Sequence, residues 1–215
     1  MAELVLRQRS ALAGWDDRLA AAGARAGGAV ALAEAAFLAQ VLVRAEPGSP
    51  AARAFEAALG GALPGANRVA ALPGGREALW LGPDEWLVVA LPGETAELEA
   101  ALAAAAAGEA GGNPAVTSLS ANRTAIDVNG RWAHDVLAAV CGLDLHPRAF
   151  QPGCCAQTLL ASAPVILQER EAAAGGGRSF RVLVRPSLSA YVAEWLVDAV
   201  DGVAAEHAAV AAGLR

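Results

Sequence analysis

The hydrophobic pattern of the first half of the chain alternates between strand-like and helix-like segments. Residues 38–45, LAQVLVRA, place every second apolar side chain on one face, which predicts a strand. Residues 48–61, GSPAARAFEAALGG, predict a helix with Ser49 as N-cap and Pro50 as the first helical residue. An apolar hairpin follows, and residues 94–107, ETAELEAALAAAAA, predict a second helix.

The second half of the chain shows the same succession of patterns. Residues 123–129, RTAIDVN, alternate like a strand. A helix is predicted at the end of this half, with Ser187 as its N-cap behind Pro186. The full set of predicted elements after the first strand is residues 130–142 (helix), 155–168 (one or two strands), 179–185 (strand) and 186–200 (helix).

Both halves therefore follow the order strand, helix, strands, helix. The offset between them is about 85 residues at the first strand and about 94 residues at the last helix, as expected for an internal duplication with a loop insertion near Gly175. We predict an α+β fold of two units related by a pseudo-twofold axis, with antiparallel sheets and helices on one side. The predicted boundaries are an N-terminal extension (1–30), a first repeat (31–107), a linker (108–118), a second repeat (119–201) and a C-terminal tail (202–215), with both repeats in one compact domain.

The hairpin of the first half, LWLGPDEWLVVA, carries two of the five tryptophans on either side of one turn. Residues 82–85, Gly-Pro-Asp-Glu, suit a type I turn. A four-residue turn would place Leu81 opposite Trp86, and Trp80 opposite Leu87. Both faces of the hairpin are apolar, which favours burial on both sides. A tryptophan that lines a ligand pocket is the alternative.

Composition narrows the class of protein. The 215 residues are 55% hydrophobic and 18% charged, which indicates a folded chain and suggests that a partner covers part of its surface. The net charge of −6 argues against a nucleic-acid or anionic-membrane partner. Because we find no signal peptide and no apolar run that could span a bilayer, we expect a cytoplasmic protein. The three cysteines, which lack zinc-site spacing, are expected to be buried thiols: Cys141, Cys154 and Cys155.

No set of residues in the sequence forms a recognisable catalytic motif. None of the three histidines, at positions 134, 146 and 207, accompanies a nucleophile motif. Residues 175–178, Gly-Gly-Gly-Arg, lead into a strand rather than a helix, so they predict a hairpin loop and not a phosphate site. Glu169 and Glu171 are expected to be solvated beside this loop. We therefore predict no catalytic, cofactor-binding or metal-binding residue in this chain.

Four segments closely resemble the γ subunits of heterotetrameric sarcosine oxidases. The longest is LSANRTAIDVNGRWAHDVLAAVCGLDLHPRAFQPGCCAQTLLASAPVILQ, and the second is the hairpin LWLGPDEWLVVA. Their most distinctive strings are ANRTA and LDLHPRAF in the long segment and LGPDEWL in the hairpin. The other matching segments are ALPGANRVAAL and FRVLVRPSLSAYVAEWLVDA. The resemblance runs in order from about residue 31 to residue 200.

This resemblance implies membership of a four-chain flavoenzyme that oxidatively demethylates sarcosine to glycine, yields hydrogen peroxide and passes a one-carbon unit to tetrahydrofolate. It implies partners named the α, β and δ subunits, which would hold FAD, FMN, NAD, zinc and tetrahydrofolate. It also implies a fold similar to the folate-binding domain of the glycine-cleavage T-protein, in agreement with the duplicated plan.

One departure from the T-protein pattern bears on function. Folate-using domains of that family carry an acidic residue soon after the strand that corresponds to CAQTLLA. This chain has Pro164, Val165, Ile166 and Leu167 there. The resemblance therefore carries over the fold and membership of the complex, but not folate chemistry.

Our first hypothesis is a non-catalytic subunit that stabilises the oxidase and docks mainly on the large α subunit. Candidate interface residues are Arg123, His146, Arg148 and Phe150, since arginine and aromatic side chains are enriched at interfaces. In the alternative interpretation of these residues, the two arginines cap local carbonyls and Phe150 belongs to the core. The rival hypothesis is a standalone folate-binding, aminomethyltransferase-like protein, and a third is a scaffold of the same fold for another flavoenzyme.

Overall fold

The computed structural model describes residues 8–108, 112–172 and 176–213, and within these ranges it contains five α-helices and ten β-strands. The helices are α1 (Asp16–Arg25), α2 (Pro50–Leu59), α3 (Thr95–Ala107), α4 (Ala133–Ala138) and α5 (Pro186–Ala211). The strands are β1 (Ala31–Glu34), β2 (Ala39–Arg44), β3 (Val69–Leu72), β4 (Arg76–Gly82), β5 (Glu85–Ala90), β6 (Ala115–Ser118), β7 (Thr124–Gly130), β8 (Cys155–Leu160), β9 (Ala163–Arg170) and β10 (Arg178–Val184).

The strands form two five-stranded antiparallel sheets. The first sheet has the order β3-β4-β5-β2-β6 and the second the order β8-β9-β10-β7-β1 when read from the matching edge. Every strand of one sheet thus has a counterpart at the same position in the other, five places away in the chain. The predicted α+β fold with a pseudo-twofold plan and antiparallel sheets is confirmed.

The two halves exchange their edge strands. Strand β1 leaves the first half and pairs with β7, with Ala31 opposite Asn129. Strand β6 pairs with β2, with Val41 opposite Ser118. The segment 108–118, which we predicted as a linker, therefore ends in a strand of the first sheet, and its residues 109–111 lie outside the described residues. The repeat boundaries stay a prediction.

Helices cover the outer face of each sheet, while the inner faces of the two sheets pack on each other. Helices α1, α4 and α5 lie on the second sheet, and α2 and α3 on the first. Between the sheets lies an apolar cluster that takes side chains from both halves. Because this middle layer is shared, neither half has a complete core of its own. Its buried members are Leu38, Leu79, Leu81, Leu87, Val89, Ala125, Cys155, Ile166 and Leu183.

The helix starts agree with the sequence in one half and differ in the other. Ser49 caps α2 as predicted, because its side chain accepts a hydrogen bond from the amide of Ala52 at 3.1 Å. The predicted cap at Ser187 is wrong: α5 begins at Pro186, so Ser187 lies within the first turn. Helix α5 also continues to Ala211 and includes the region that we treated as a C-terminal tail.

The register of the tryptophan hairpin differs from our prediction. Trp80 lies opposite Trp86, because the pairing is irregular between Trp80 and Gly82 and Leu81 is the extra residue. Trp86 is 4% exposed, and its indole Nε1 donates a hydrogen bond to the carbonyl oxygen of Pro64 at 2.8 Å. Burial of the hairpin on both faces is confirmed, since one face joins the α2–α3 core and the other the layer between the sheets. Both tryptophans also border a cavity of about 240 Å³.

Candidate interaction site

The histidines of the described chain support packing rather than catalysis. His134 Nδ1 lies 3.0 Å from a carboxylate oxygen of Asp135, and His207 Nε2 lies 3.4 Å from the other oxygen. The His207 ring stacks on Trp132 with 4.4 Å between ring centroids. These contacts join the end of α5 to α4. Across the described residues, no group of three histidine, cysteine, aspartate or glutamate side chains is placed to hold a metal ion.

Three of the four candidate interface residues lie in the loop between α4 and β8. His146 and Arg148 are exposed, and the amide of Arg148 donates to His146 Nδ1 at 3.2 Å. Phe150 is only 5% exposed and belongs to the core beneath α5, so the alternative core interpretation fits this residue. The Arg148 side chain makes no hydrogen bond to a described carbonyl, so it does not cap the loop.

This loop is held by a buried ion pair that the sequence did not predict. Glu169, which we expected to be solvated, has a side chain that is 2% exposed. Arg178 Nε donates to Glu169 Oε1 at 2.7 Å, and the same guanidinium donates to the carbonyl oxygens of Leu145 and Phe150 at 2.6 and 2.7 Å. The loop with His146 and Arg148 is therefore a fixed surface. Gly175 of the adjacent turn lies outside the described residues.

Arg123 lies at the opposite end of the second sheet from this loop. Strand β7 starts directly after Arg123 and ends at Gly130 opposite Arg178, a separation of roughly 20 Å at the usual rise per strand residue. The carbonyl oxygen of Arg123 accepts a hydrogen bond from Gln40 Nε2 at 2.9 Å. The four candidate residues therefore do not form one patch.

The guanidinium of Arg123 has a polar group without a partner. Its Nη1 is buried and has no hydrogen-bond acceptor among the described residues. Burial lowers the pKa of Arg123, and the positive charge of Arg185 lowers it further, while Glu85 acts in the opposite direction. Two arginines thus approach each other at the start of α5 without a compensating carboxylate in hydrogen-bond contact.

These two arginines border a cavity of about 380 Å³ on the inner face of the second sheet, which we name the arginine slot. On one side, Gln157 Nε2 donates to the carbonyl oxygen of Leu81 at 2.8 Å and thereby connects the slot to the first sheet. On the other side the slot opens to solvent past Leu159, which is 53% exposed. The lining residues are Arg123, Gln157, Thr158, Leu159, Pro164, Val165, Ile166 and Arg185.

A larger cavity of about 690 Å³ adjoins Arg123 where the two chain crossovers meet, and we name it the crossover cavity. It lies between the β1–β2 and β6–β7 connections, and Thr124 and Ser10 both donate hydrogen bonds to Glu34 in its wall. Phe37 lines the cavity with φ at 61° and a ring that is 42% exposed. A non-glycine residue in this conformation is uncommon, and strained backbone of this kind clusters at functional sites.

Elsewhere, ion pairs lie both within the second sheet and between the two sheets. Arg181 forms two hydrogen bonds with Asp127 at 2.7 and 2.8 Å, and Glu77 of the first sheet lies 3.5 Å from Arg170. Burial acts to lower the pKa of Arg181, but the contacts with Asp127 raise it overall. Arg170 Nε lies within ion-pair distance of Glu77 but forms no hydrogen bond with a described residue.

Two residues of the site were missed in the sequence. Arg185 was predicted only as the last residue of a strand, and nothing in its local sequence indicates that it lies beside Arg123. Phe37 carries no sequence feature that distinguishes an exposed aromatic residue from a core one. In the described parts of the chain, no helix has the length and apolar character needed to cross a membrane.

Comparison with known proteins places this fold in a family. The model of the sarcosine oxidase, gamma subunit family matches residues 44–202. The chain is 42% identical over 185 residues to the sarcosine oxidase subunit gamma of Corynebacterium sp. (strain P-1), with 85% of each chain covered. It is 43% identical over 177 residues to the subunit gamma of an Arthrobacter species, with 80% of this chain and 81% of that one covered.

The structural comparisons agree. A chain of the heterotetrameric sarcosine oxidase from Corynebacterium sp. U-96, solved with pyrrole 2-carboxylate, matches with a TM-score of 0.79 and 37% identity, covering 92% of this chain and 96% of that one. The glycine cleavage system aminomethyltransferase T from Bartonella henselae matches with a TM-score of 0.60 at 17% identity, covering 82% of this chain and 48% of that one, which shows a shared fold. The duplicated fold, the matched length and the level of identity establish that this chain belongs to the sarcosine oxidase gamma subunit family.

Proposed function

We propose that this chain is a non-catalytic subunit of a heterotetrameric sarcosine oxidase, and that it stabilises the complex by docking mainly on the large α subunit. The observation that carries this proposal is the 42% identity to a sarcosine oxidase subunit gamma across 85% of both chains. In this function the chain contributes to an oxidoreductase without supplying the reacting groups.

The distribution of polar groups supports a structural role. Two of the three histidines, His134 and His207, are engaged at the contact between α4 and α5. The ion pair Arg178–Glu169 holds the loop before β8, and Arg181–Asp127 joins β10 to β7. What remains at the surface beside Arg123 is a set of exposed apolar and arginine side chains, which is the composition of a protein interface.

The cofactors and partners follow from this assignment. FAD, FMN, NAD, zinc and tetrahydrofolate would belong to the α, β and δ subunits, and the complex would act in the cytoplasm. Within this proposal the chain binds neither nucleic acid nor a membrane, in keeping with its net charge of −6.

The rival function is a standalone folate-binding aminomethyltransferase. Its support is the fold shared with the aminomethyltransferase T and the size of the crossover cavity. Against it stands the apolar sequence Val165, Ile166 and Leu167, which offers no carboxylate at the position where folate-using relatives carry one.

Coexpression of the oxidase subunits with and without this chain tests the proposal. We expect the four-chain complex to elute as one species with sarcosine oxidase activity, and the complex that lacks this chain to dissociate or to lose thermal stability. A three-chain complex of unchanged stability and activity would contradict the stabilising role.

A further inference from the structure

The positive charge beside the second sheet lacks a counterion within the described chain. Arg123 and Arg185 both line the arginine slot, and neither forms an ion pair with a described carboxylate. Seven other described arginines lie within ion-pair distance of a carboxylate: Arg18, Arg25, Arg44, Arg76, Arg170, Arg178 and Arg181. In a chain with a net charge of −6, two unpaired arginines at one slot indicate a site for an external anion.

The backbone and the buried donor add to this charge. Helix α5 runs from Pro186 to Ala211, and its N-terminal end directly follows Arg185, so its dipole also favours a negative group at this place. Arg123 Nη1 is buried and has no hydrogen-bond acceptor among the described residues, so contacts within the fold leave this guanidinium incompletely satisfied. The nearest opposing charge, Glu85, influences Arg123 through space but forms no ion pair with it.

The surroundings of the slot favour a protein as the source of the anion. Leu159 at its mouth is 53% exposed. On α5, Tyr191 and Trp195 are 39% and 43% exposed, and the Tyr191 hydroxyl accepts from the amide of Ser162 in the turn after β8. Tyrosine, tryptophan and arginine are enriched at interface hot spots, and a small free anion would leave Leu159, Tyr191 and Trp195 uncovered.

We propose that the arginine slot binds the carboxylate of an aspartate or glutamate side chain of the partner subunit, with Arg123 and Arg185 as its two ligands. The apolar side chains around the slot exclude water from this contact. The inference rests on the proposed function, because it names the chemistry by which the chain would dock on the oxidase.

The test uses the full chain and the complex of the remaining oxidase subunits. Arg123→Gln and Arg185→Gln, singly and together, remove the charge and leave the carbonyl contact of Arg123 with Gln40 in place. The matched control is Arg131→Gln, which removes an exposed arginine directly after the far end of β7. We expect the double variant to bind the other subunits at least about 30-fold more weakly, as for loss of a buried charge pair, and the control to bind like the wild type. The affinity of the wild type should also fall more steeply with salt than that of the double variant.

Each outcome separates this inference from the proposed function. If the wild type binds the oxidase subunits and the double variant binds equally well, the arginine slot is not a docking site although the chain is a subunit. If the wild type fails to bind, both proposals are wrong. Thermal stabilisation of the isolated wild type by inorganic phosphate, with unchanged partner affinity of the variants, would identify a free anion instead and overturn the inference. If the double variant misfolds, the binding of Arg185→Gln to the oxidase subunits serves as the test. This substitution should not disturb folding, because the Arg185 side chain is exposed and forms no hydrogen bond with a described residue.

Discussion

Replacement of Arg178 by methionine should cause a large loss of stability. The arginine neutralises Glu169, whose side chain is 2% exposed, and satisfies the carbonyl oxygens of Leu145 and Phe150. Its removal leaves a buried carboxylate without a counterion and two carbonyls without donors. Breaking a buried ion pair in this way costs about 3–5 kcal/mol. For a chain of this size the loss corresponds to a decrease in melting temperature of roughly 6–20 °C.

A double-mutant cycle measured by urea unfolding tests this reasoning. The double variant Arg178→Met/Glu169→Met should be more stable than Arg178→Met, because it removes the uncompensated charge and leaves only the two carbonyls unsatisfied. The control is Arg25→Met, which removes the two hydrogen bonds between Arg25 and Asp201. Both side chains of this ion pair are about half exposed, so its loss should change the urea midpoint little. A decrease for Arg178→Met as small as that of the control would refute the account of the loop.

Three further measurements examine the backbone, a thiol and a helix cap. Gly130→Ala should strongly lower the urea midpoint, because its Cβ would lie 2.3 Å from the carbonyl oxygen of Ala29. The control Gly142→Ala, with no atom within 4 Å of its Cβ, should have little effect. Equal urea midpoints of the two variants would contradict the close approach of Gly130 to Ala29. Burial raises the pKa of the Cys155 thiol to about 11 from 9.0, so its contribution to stability is full below pH 9.0 and is lost as the pH rises towards 11. The urea midpoint of the wild type should therefore fall between pH 9 and 11, and that of Cys155→Ala should fall less. An equal fall in both proteins would contradict the raised thiol pKa. Ser49→Ala should cost about 1 kcal/mol through loss of the α2 cap, measured by chemical unfolding.

The duplicated order of strands and helices is the part of the fold that could be predicted from the sequence. Alternating strands and capped helices predicted two equivalent units, and the sheet orders confirm this plan. The exchange of β1 and β6 could not be predicted, because each has four residues and pairs with the other half of the chain. Short edge strands acquire their structure from a distant partner rather than from local periodicity.

The hairpin shows why register is harder to predict than the presence of a strand. The apolar positions indicated burial on both faces, but one extra residue at Leu81 moved Trp80 opposite Trp86 and exchanged the two faces of one strand. A bulge of this kind has no distinct composition. Its position follows from packing against the second sheet.

The interaction site was predicted only in part for a related reason. Arg123 was selected as an interface residue and borders both the arginine slot and the crossover cavity. Phe150 was selected with it, but side-chain type alone does not separate a core aromatic residue from an exposed one. Glu169 was misplaced because its partner, Arg178, becomes its neighbour only when β9 pairs with β10.

We infer that this chain acts as a docking subunit and does not use folate itself. The most direct measurement is titration of the purified chain with tetrahydrofolate in a calorimeter, followed by mixing the same sample with the other oxidase subunits on a sizing column. We predict no heat of folate binding and stoichiometric co-elution. Micromolar folate binding by the isolated chain, without co-elution, would contradict the claim and would assign the crossover cavity to a ligand.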